Sequence, residues 1–262
     1  MASLDYNYFF CYIGRGIAML EEEFFNYVRN YNLKDKNIYL KFTHSFRVME
    51  LQIKYAKKLG FSKEDIELAK IIGLLHDIGR FEQLRVFKTY DDHKSIDHAD
   101  YSCTQLFEKG EIKQFVSRED WYPIIEFAIR NHNKRVLEVV DDERMMMHAK
   151  LIRDTDKIDI IYLMGELKEV KIKPTKQRIT KQILEEFYEH KKVDNKLIKT
   201  RNDYSVIRYS FVFDINNTIC LKELRKNYKK YAYIQRDNET LMGVYREVLK
   251  YIKERLKNEG IR

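Results

Sequence analysis

Apolar residues along most of this chain recur every three or four positions, the spacing that lines one face of a helix. Residues 21–30 predict a short helix with Phe24, Phe25 and Val28 on one side. A longer one follows over 40–59 and stops at Gly60, a residue suited to the left-handed turn past a helix end. Its apolar face carries Val48, Leu51 and Tyr55, and His44 falls on that face at the i, i+4, i+7, i+11 spacing. His44 is therefore expected to point inward. Ser62, with acidic residues two and three positions on, predicts the cap of the next helix. That helix places Ala69, Ile72 and Gly73 on the face of His76.

Residues 80–94 are rich in charge and read as a loop. Ser95 is the expected next cap, with His98 in the first turn of a helix ending near Gly110. Residues 121–131 form another amphipathic helix, entered through Pro123, whose Ile125, Ala128 and Ile129 share a face with His132. The segment 143–164 is apolar almost all round, so it should be central; Asp154 and Asp156 lie within it. Beyond Pro174, residues 181–190 look helical, 206–215 fit helix or strand, and 241–256 form a good terminal helix. Residues 1–18 fit poorly, because Gly14 and Gly16 interrupt any helix. Translation from Met19 and an ordered N-terminal arm both explain them. The expected organisation is an arm over 1–18, a helical domain over 19–170, and a mostly helical extension over 171–262 packed on it.

Composition agrees with this all-α reading. Only two prolines and nine glycines occur among 262 residues, and 44% of the chain is hydrophobic, ample for a core. The net charge of +8 comes from interspersed Lys and Glu and suits an anionic substrate. No basic run alternates with aromatics as a nucleic-acid groove requires, which argues against that partner. Three cysteines without a CxxC pair argue against a disulfide framework and fit a reducing compartment, so a cytoplasmic location is expected. No segment has the length of a membrane span. Oligomeric state is left open.

The stretch Ile71-Ile72-Gly73-Leu74-Leu75-His76-Asp77-Ile78-Gly79-Arg80-Phe81 draws attention because an imidazole and a carboxylate end an apolar run. Such a pair is costly to bury unless the two groups compensate each other or a nearby cation or a metal does so. A single inward histidine such as His44 or His132 is more often a hydrogen-bonded core residue, and one near a helix start, such as His98, is more often exposed. Several inward imidazoles with a His-Asp pair in one helical domain shift that balance towards a metal centre. Adjacent helical residues point ~100° apart, so His76 and Asp77 can hold one ion from two directions while the second oxygen of Asp77 reaches another. Imidazole and carboxylate together suit Mn, Fe, Co, Ni or Zn, with Mg admissible, and the absence of thiolates disfavours a structural zinc. His93, His148 and His190 have no such placement and read as surface. Periodicity does not choose between Asp154 and Asp156.

The ordered set His44, His76-Asp77, His98, His132 and an Asp in the central helix resembles the HD-domain superfamily of metal-dependent phosphohydrolases, over roughly residues 20–165. The run His76-Asp77-Ile78-Gly79-Arg80-Phe81-Glu82-Gln83, with Ser95-Ile96-Asp97-His98-Ala99 after it, is similar to a bacterial HD subgroup. In that superfamily the last ligand is an Asp followed by a basic residue, which selects Asp156 with Lys157. The resemblance implies two metal ions, one on His44, His76, Asp77 and Asp156, the other on Asp77, His98 and His132. It implies hydrolysis of a nucleotide or other small phosphate ester by a metal-activated water, with Asp77 and Arg80 in catalytic roles. Arg80 would grip phosphate, and Lys94, Asn133 and Lys157 are further substrate contacts or supports. Two departures stand out. Arg80 occupies the place of the lysine usual in cyclic-dinucleotide phosphodiesterases, whose Gly-Tyr-Pro signature is absent; the acidic residues of the (p)ppGpp-hydrolase pattern are missing too. The same ligand set also resembles mixed-valent di-iron oxygenases, and a non-catalytic ligand-binding HD module is a third reading.

Overall fold

Two long helices begin where acidic or hydroxyl side chains cap them. In the computed structural model, which describes residues 19–166 and 173–260, Asp35 accepts a hydrogen bond from the Asn37 amide and Ser62 accepts one from the Asp65 amide. The helices they open are α2, Lys36–Lys58, and α3, Lys63–Leu75; α1, Met19–Val28, precedes them. Gly60 at φ +76° makes the turn between α2 and α3, a left-handed conformation that glycine adopts without strain. The helices continue as α4 (Gly79–Phe87), α5 (His98–Cys103), α6 (Tyr122–Asn131) and α7 (Glu143–Glu166). Then come α8 (Lys181–Tyr188), α9 (Arg201–Ser210), α10 (Leu221–Ile234) and α11 (Glu239–Asn258). No strand occurs among the described residues, so the fold is all-α. None of these helices is long and apolar enough to cross a membrane. Residues 1–18, for which two origins were open, lie outside the described residues.

The chain divides into two compact units, Met1–Lys134 with Glu138–Ile152, and Arg135–Leu137 with Arg153–Arg262. In the first, Phe24 of α1 is fully buried against Phe42 and Phe46 of α2 and Phe81 of α4. Burying each such ring is worth roughly 1.5–3 kcal/mol. In the second, Tyr209 of α9 stacks on Tyr228 of α10 and packs at a tilt against Tyr231, and the Tyr228 hydroxyl donates to the Arg208 carbonyl. Arg153 there holds both oxygens of Asp214 at 2.7 Å, and Lys157 approaches the same carboxylate at 2.9 Å.

Several expectations need correction. Residues 80–94 are not all loop: α4 occupies Gly79–Phe87. Its polar residues misled because Glu82 and Gln83 are buried, with hydrogen bonds from Tyr31 and Arg85 to Glu82 and four bonds on Gln83. The cap of α5 is Asp97, which accepts from the Ala99 and Asp100 amides, whereas the Ser95 hydroxyl donates to the Asp91 carbonyl. His148 is not a surface residue. It is fully buried in α7, 3.2 Å from Asp65. The ambiguous segment 206–215 is helical, finishing α9 and passing into a tight turn over Phe211–Asp214. Helix α10 had no counterpart in the sequence reading.

Two glycines set how closely the helices of the first unit approach. A Cβ at Gly73 of α3 would lie 2.9 Å from the Met49 Cα of α2, and one at Gly79 of α4 would lie 2.6 Å from the Ser102 amide of α5. Backbone cannot retreat cheaply, so Gly73→Ala and Gly79→Ala should each lower unfolding stability by about 1–3 kcal/mol. Urea denaturation midpoints of the two variants measure this.

Candidate metal centre

The chemistry of the site starts with which nitrogen of the imidazoles carries the proton. His76 Nδ1 lies 2.8 Å from the Gly73 carbonyl and His132 Nδ1 lies 2.7 Å from the Ile129 carbonyl. A carbonyl only accepts, so in each ring the proton sits on Nδ1 and the Nε2 lone pair is exposed to whatever faces it. His98 follows the same rule with a different partner, its Nδ1 lying 2.5 Å from Asp92 Oδ2. Burial and the nearby Arg80 guanidinium push the His98 imidazolium down to about 4, so the ring is neutral near pH 7.

The Nε2 atoms converge. His44 and His76 bring their Nε2 atoms to 3.3 Å, and His98 and His132 bring theirs to 3.0 Å. Asp77 stands between the pairs. Its Oδ2 is 3.5 Å from His44 Nε2 and 3.6 Å from His76 Nε2, while its Oδ1 is 3.5 Å from His98 Nε2 and 3.7 Å from His132 Nε2. Oδ1 is buried and accepts no hydrogen bond among the described residues. Burial alone pushes this carboxyl up, but the Lys41 ammonium and the neighbouring imidazoles hold it well below the usual carboxylate range. Metal–nitrogen bonds are ~2.0–2.1 Å, so two ligands on one ion sit ~3.0 to 3.4 Å apart at right or tetrahedral angles. Donor separations here fall at or slightly above that edge length. Two three-donor groups, His44–His76–Asp77 and Asp77–His98–His132, therefore fit a cation each, with Asp77 common to both.

The helices supply this arrangement in a simple way. His44 lies mid-α2, His76 and Asp77 follow the last turn of α3, His98 opens α5 and His132 follows the last turn of α6. Placing two rings just past helix ends lets each Nδ1 bond a carbonyl three residues back, which fixes ring orientation without another side chain.

The remaining expected residues are distributed less evenly. Arg80 Nη1 donates to Gln83 Oε1, the Tyr90 carbonyl and Asp92 Oδ1 at 2.7–2.8 Å. Its Nε is buried without a hydrogen-bond partner among the described residues, 3.8 Å from Asp77 Oδ1. Asn133 Nδ2 donates to Asp97 at 2.9 Å and lies 3.4 Å from His98 Nδ1. Lys94 is largely exposed, with its ammonium 3.5 Å from Asp91. Asp156 and Lys157 are buried on α7 in the second unit, where the Lys157 ammonium donates to the Arg153 carbonyl. Asp154 has both oxygens filled, each accepting a backbone and a side-chain hydrogen bond from Asn216 or Asn217. That makes it a structural acceptor rather than a ligand, a distinction periodicity alone did not make.

Sequence reasoning missed Lys41, Tyr90 and Asp92. Lys41 Nζ lies 2.5 Å from Asp77 Oδ2. It precedes His44 by three residues, so the helical spacing that turned His44 inward also carried Lys41. Asp92 and Tyr90 sit in the irregular segment after α4, where no periodic signal exists. Asp92 is the outer partner of His98 and is held low by that ring and by Arg80 against the upward push of burial. Outer partners of metal-binding histidines are worth ~10–100-fold in affinity. Asp92→Ala should weaken metal binding by that factor with the helical far-ultraviolet signal unchanged, as read by competition with a chelating dye.

Residues 42–161 match the family model of the HD domain. No curated protein and no solved structure matches the chain. The match spans α2, where His44 sits, through most of α7, and it contains the His76-Asp77 pair around which both donor groups close. Residues 42–161 therefore belong to the HD-domain family.

Proposed function

We propose that this protein is a metal-dependent phosphohydrolase that cleaves a nucleotide or another small phosphate ester. The observation that carries the reading is the carboxylate of Asp77, whose two oxygens each face a separate histidine pair. Divalent ions bound by these residues would supply acidification of a water towards neutral pH and positive charge against the phosphoryl oxygens. Attack of water on phosphorus would form the new P–O bond as the ester P–O bond breaks, the departing oxygen taking its proton from solvent.

The chain's own groups have definite parts in this scheme. Asp77 holds both ligand sets in register. Asp92 keeps the His98 proton on Nδ1 and its lone pair inward. Arg80 anchors Asp92 through Nη1 and turns its Nε, unpaired among the described residues, towards Asp77, where a bound phosphate oxygen would be its acceptor. Asn133 supports the same loop through Asp97. Lys94 and Lys157 are kept as substrate contacts of lower rank. Asp156 is the sixth ligand that the family resemblance implies, and the metal content of Asp156→Ala tests it.

A hydrolysis screen of Mn- and Fe-loaded protein against mononucleotides, cyclic nucleotides and sugar phosphates checks the reading. Phosphate or nucleoside release is expected for the native chain. In Asp77→Ala it should fall by more than about 100-fold, beyond the loss caused by removing an outer partner. Equal release by the variant, or oxygen consumption by the iron-loaded protein without ester cleavage, would overturn it.

A further inference from the structure

Lys41 is the cation nearest the shared carboxylate, and nothing in the ligand chemistry requires it. It lies one turn before His44 on α2, with its ammonium 2.5 Å from Asp77 Oδ2 and partly open to solvent. The ring of Tyr90 stands 5.8 Å from that ammonium and 5.6 Å from the Arg80 guanidinium, within the range of cation–π attraction. Tyr90 is itself pinned to α2, because its hydroxyl donates to the Asn37 carbonyl at 3.0 Å. Lys41, Tyr90 and Arg80 thus form one wall beside Asp77, with an aromatic face between two positive groups.

The other cations of the site are more constrained. Arg80 Nη1 serves three internal acceptors, and Lys94 pairs with Asp91 on the surface. Lys41, by contrast, has its short contact with a carboxylate oxygen that also faces His44 and His76. A cation shared between those two rings and Oδ2 competes with the ammonium for the same oxygen. A phosphate oxygen is the anionic acceptor within reach of a compact, flexible ammonium of this kind.

We propose that Lys41 is a substrate-contacting residue, moving from Asp77 Oδ2 to a non-bridging oxygen of the bound phosphate while Tyr90 limits its swing. This rests on the phosphohydrolase reading above and adds to it a second phosphate-contacting group beside Arg80. A purely electrostatic role, neutralising Asp77, makes a different prediction, because it would show in metal affinity instead.

The test separates the two. Lys41→Met and Lys41→Arg are loaded with Mn, their metal content is measured by mass spectrometry, and inorganic phosphate is titrated by calorimetry. Lys41→Met should keep the native metal content and bind phosphate about tenfold or more weakly, the usual size of a hydrogen bond between charged groups. Lys41→Arg should recover most of that affinity. Unchanged phosphate affinity in Lys41→Met, parallel loss of metal and phosphate, or no phosphate binding by the native Mn-loaded protein would each overturn the proposal. If Lys41→Met does not fold, Lys41→Gln carries the same comparison. The titration needs no turnover, so a native protein that cleaves no ester defeats the hydrolase reading while Lys41 is still judged on phosphate binding alone.

Discussion

A buried carboxylate crowded by four imidazole nitrogens is unfavourable on its own, and the first unit is built to impose it. Asp77 is almost wholly excluded from solvent, and its oxygens face His44 and His76 on one side and His98 and His132 on the other. Turning rings outward would relieve the crowding, but His76 and His132 are locked by carbonyls and His98 by Asp92. The fold spends hydrogen bonds on holding donors together rather than apart. Such preorganisation makes sense for a cation-binding centre and for little else, since a core without that purpose gains from apolar replacements.

The same constraint explains the close helix contacts. The glycine at position 73 lets α3 approach the α2 backbone, which brings His76 to His44. Gly79 lets α4 sit on α5, and its amide donates to Ser102, whose hydroxyl in turn donates to the His98 carbonyl. Around this frame the loop after α4 is tied down by Gln83 and Arg80, both of which converge on Asp92. A run of charged residues therefore acts as the outer layer of the site.

Much of this was legible in the sequence, for physical reasons. His44 and His132 lie on helix faces whose apolar neighbours fixed their direction, and the Ser62 cap and the turn at Gly60 follow from local backbone chemistry. Segments failed where burial and polarity part company. The residues of α4 read as loop because Glu82 and Gln83 are polar, yet both are buried through hydrogen bonds to partners distant in sequence. His148 read as surface because its partner Asp65 lies on another helix. Periodicity does not separate Asp154 from Asp156, and the Asn216 and Asn217 donors mark Asp154 as structural. Lys41 was accessible to the helical periodicity that identified His44, but lysine on a helix is ordinarily solvent-facing.

The account turns on Asp77 serving two ligand sets at once. Metal content per chain after Mn reconstitution, compared between the native protein and Asp77→Ala, tests that most directly. Two ions in the native chain and loss of both in the variant are predicted, because one carboxylate joins the two groups. A variant that retains one ion or two would contradict the bridge and leave the histidine pairs as independent sites.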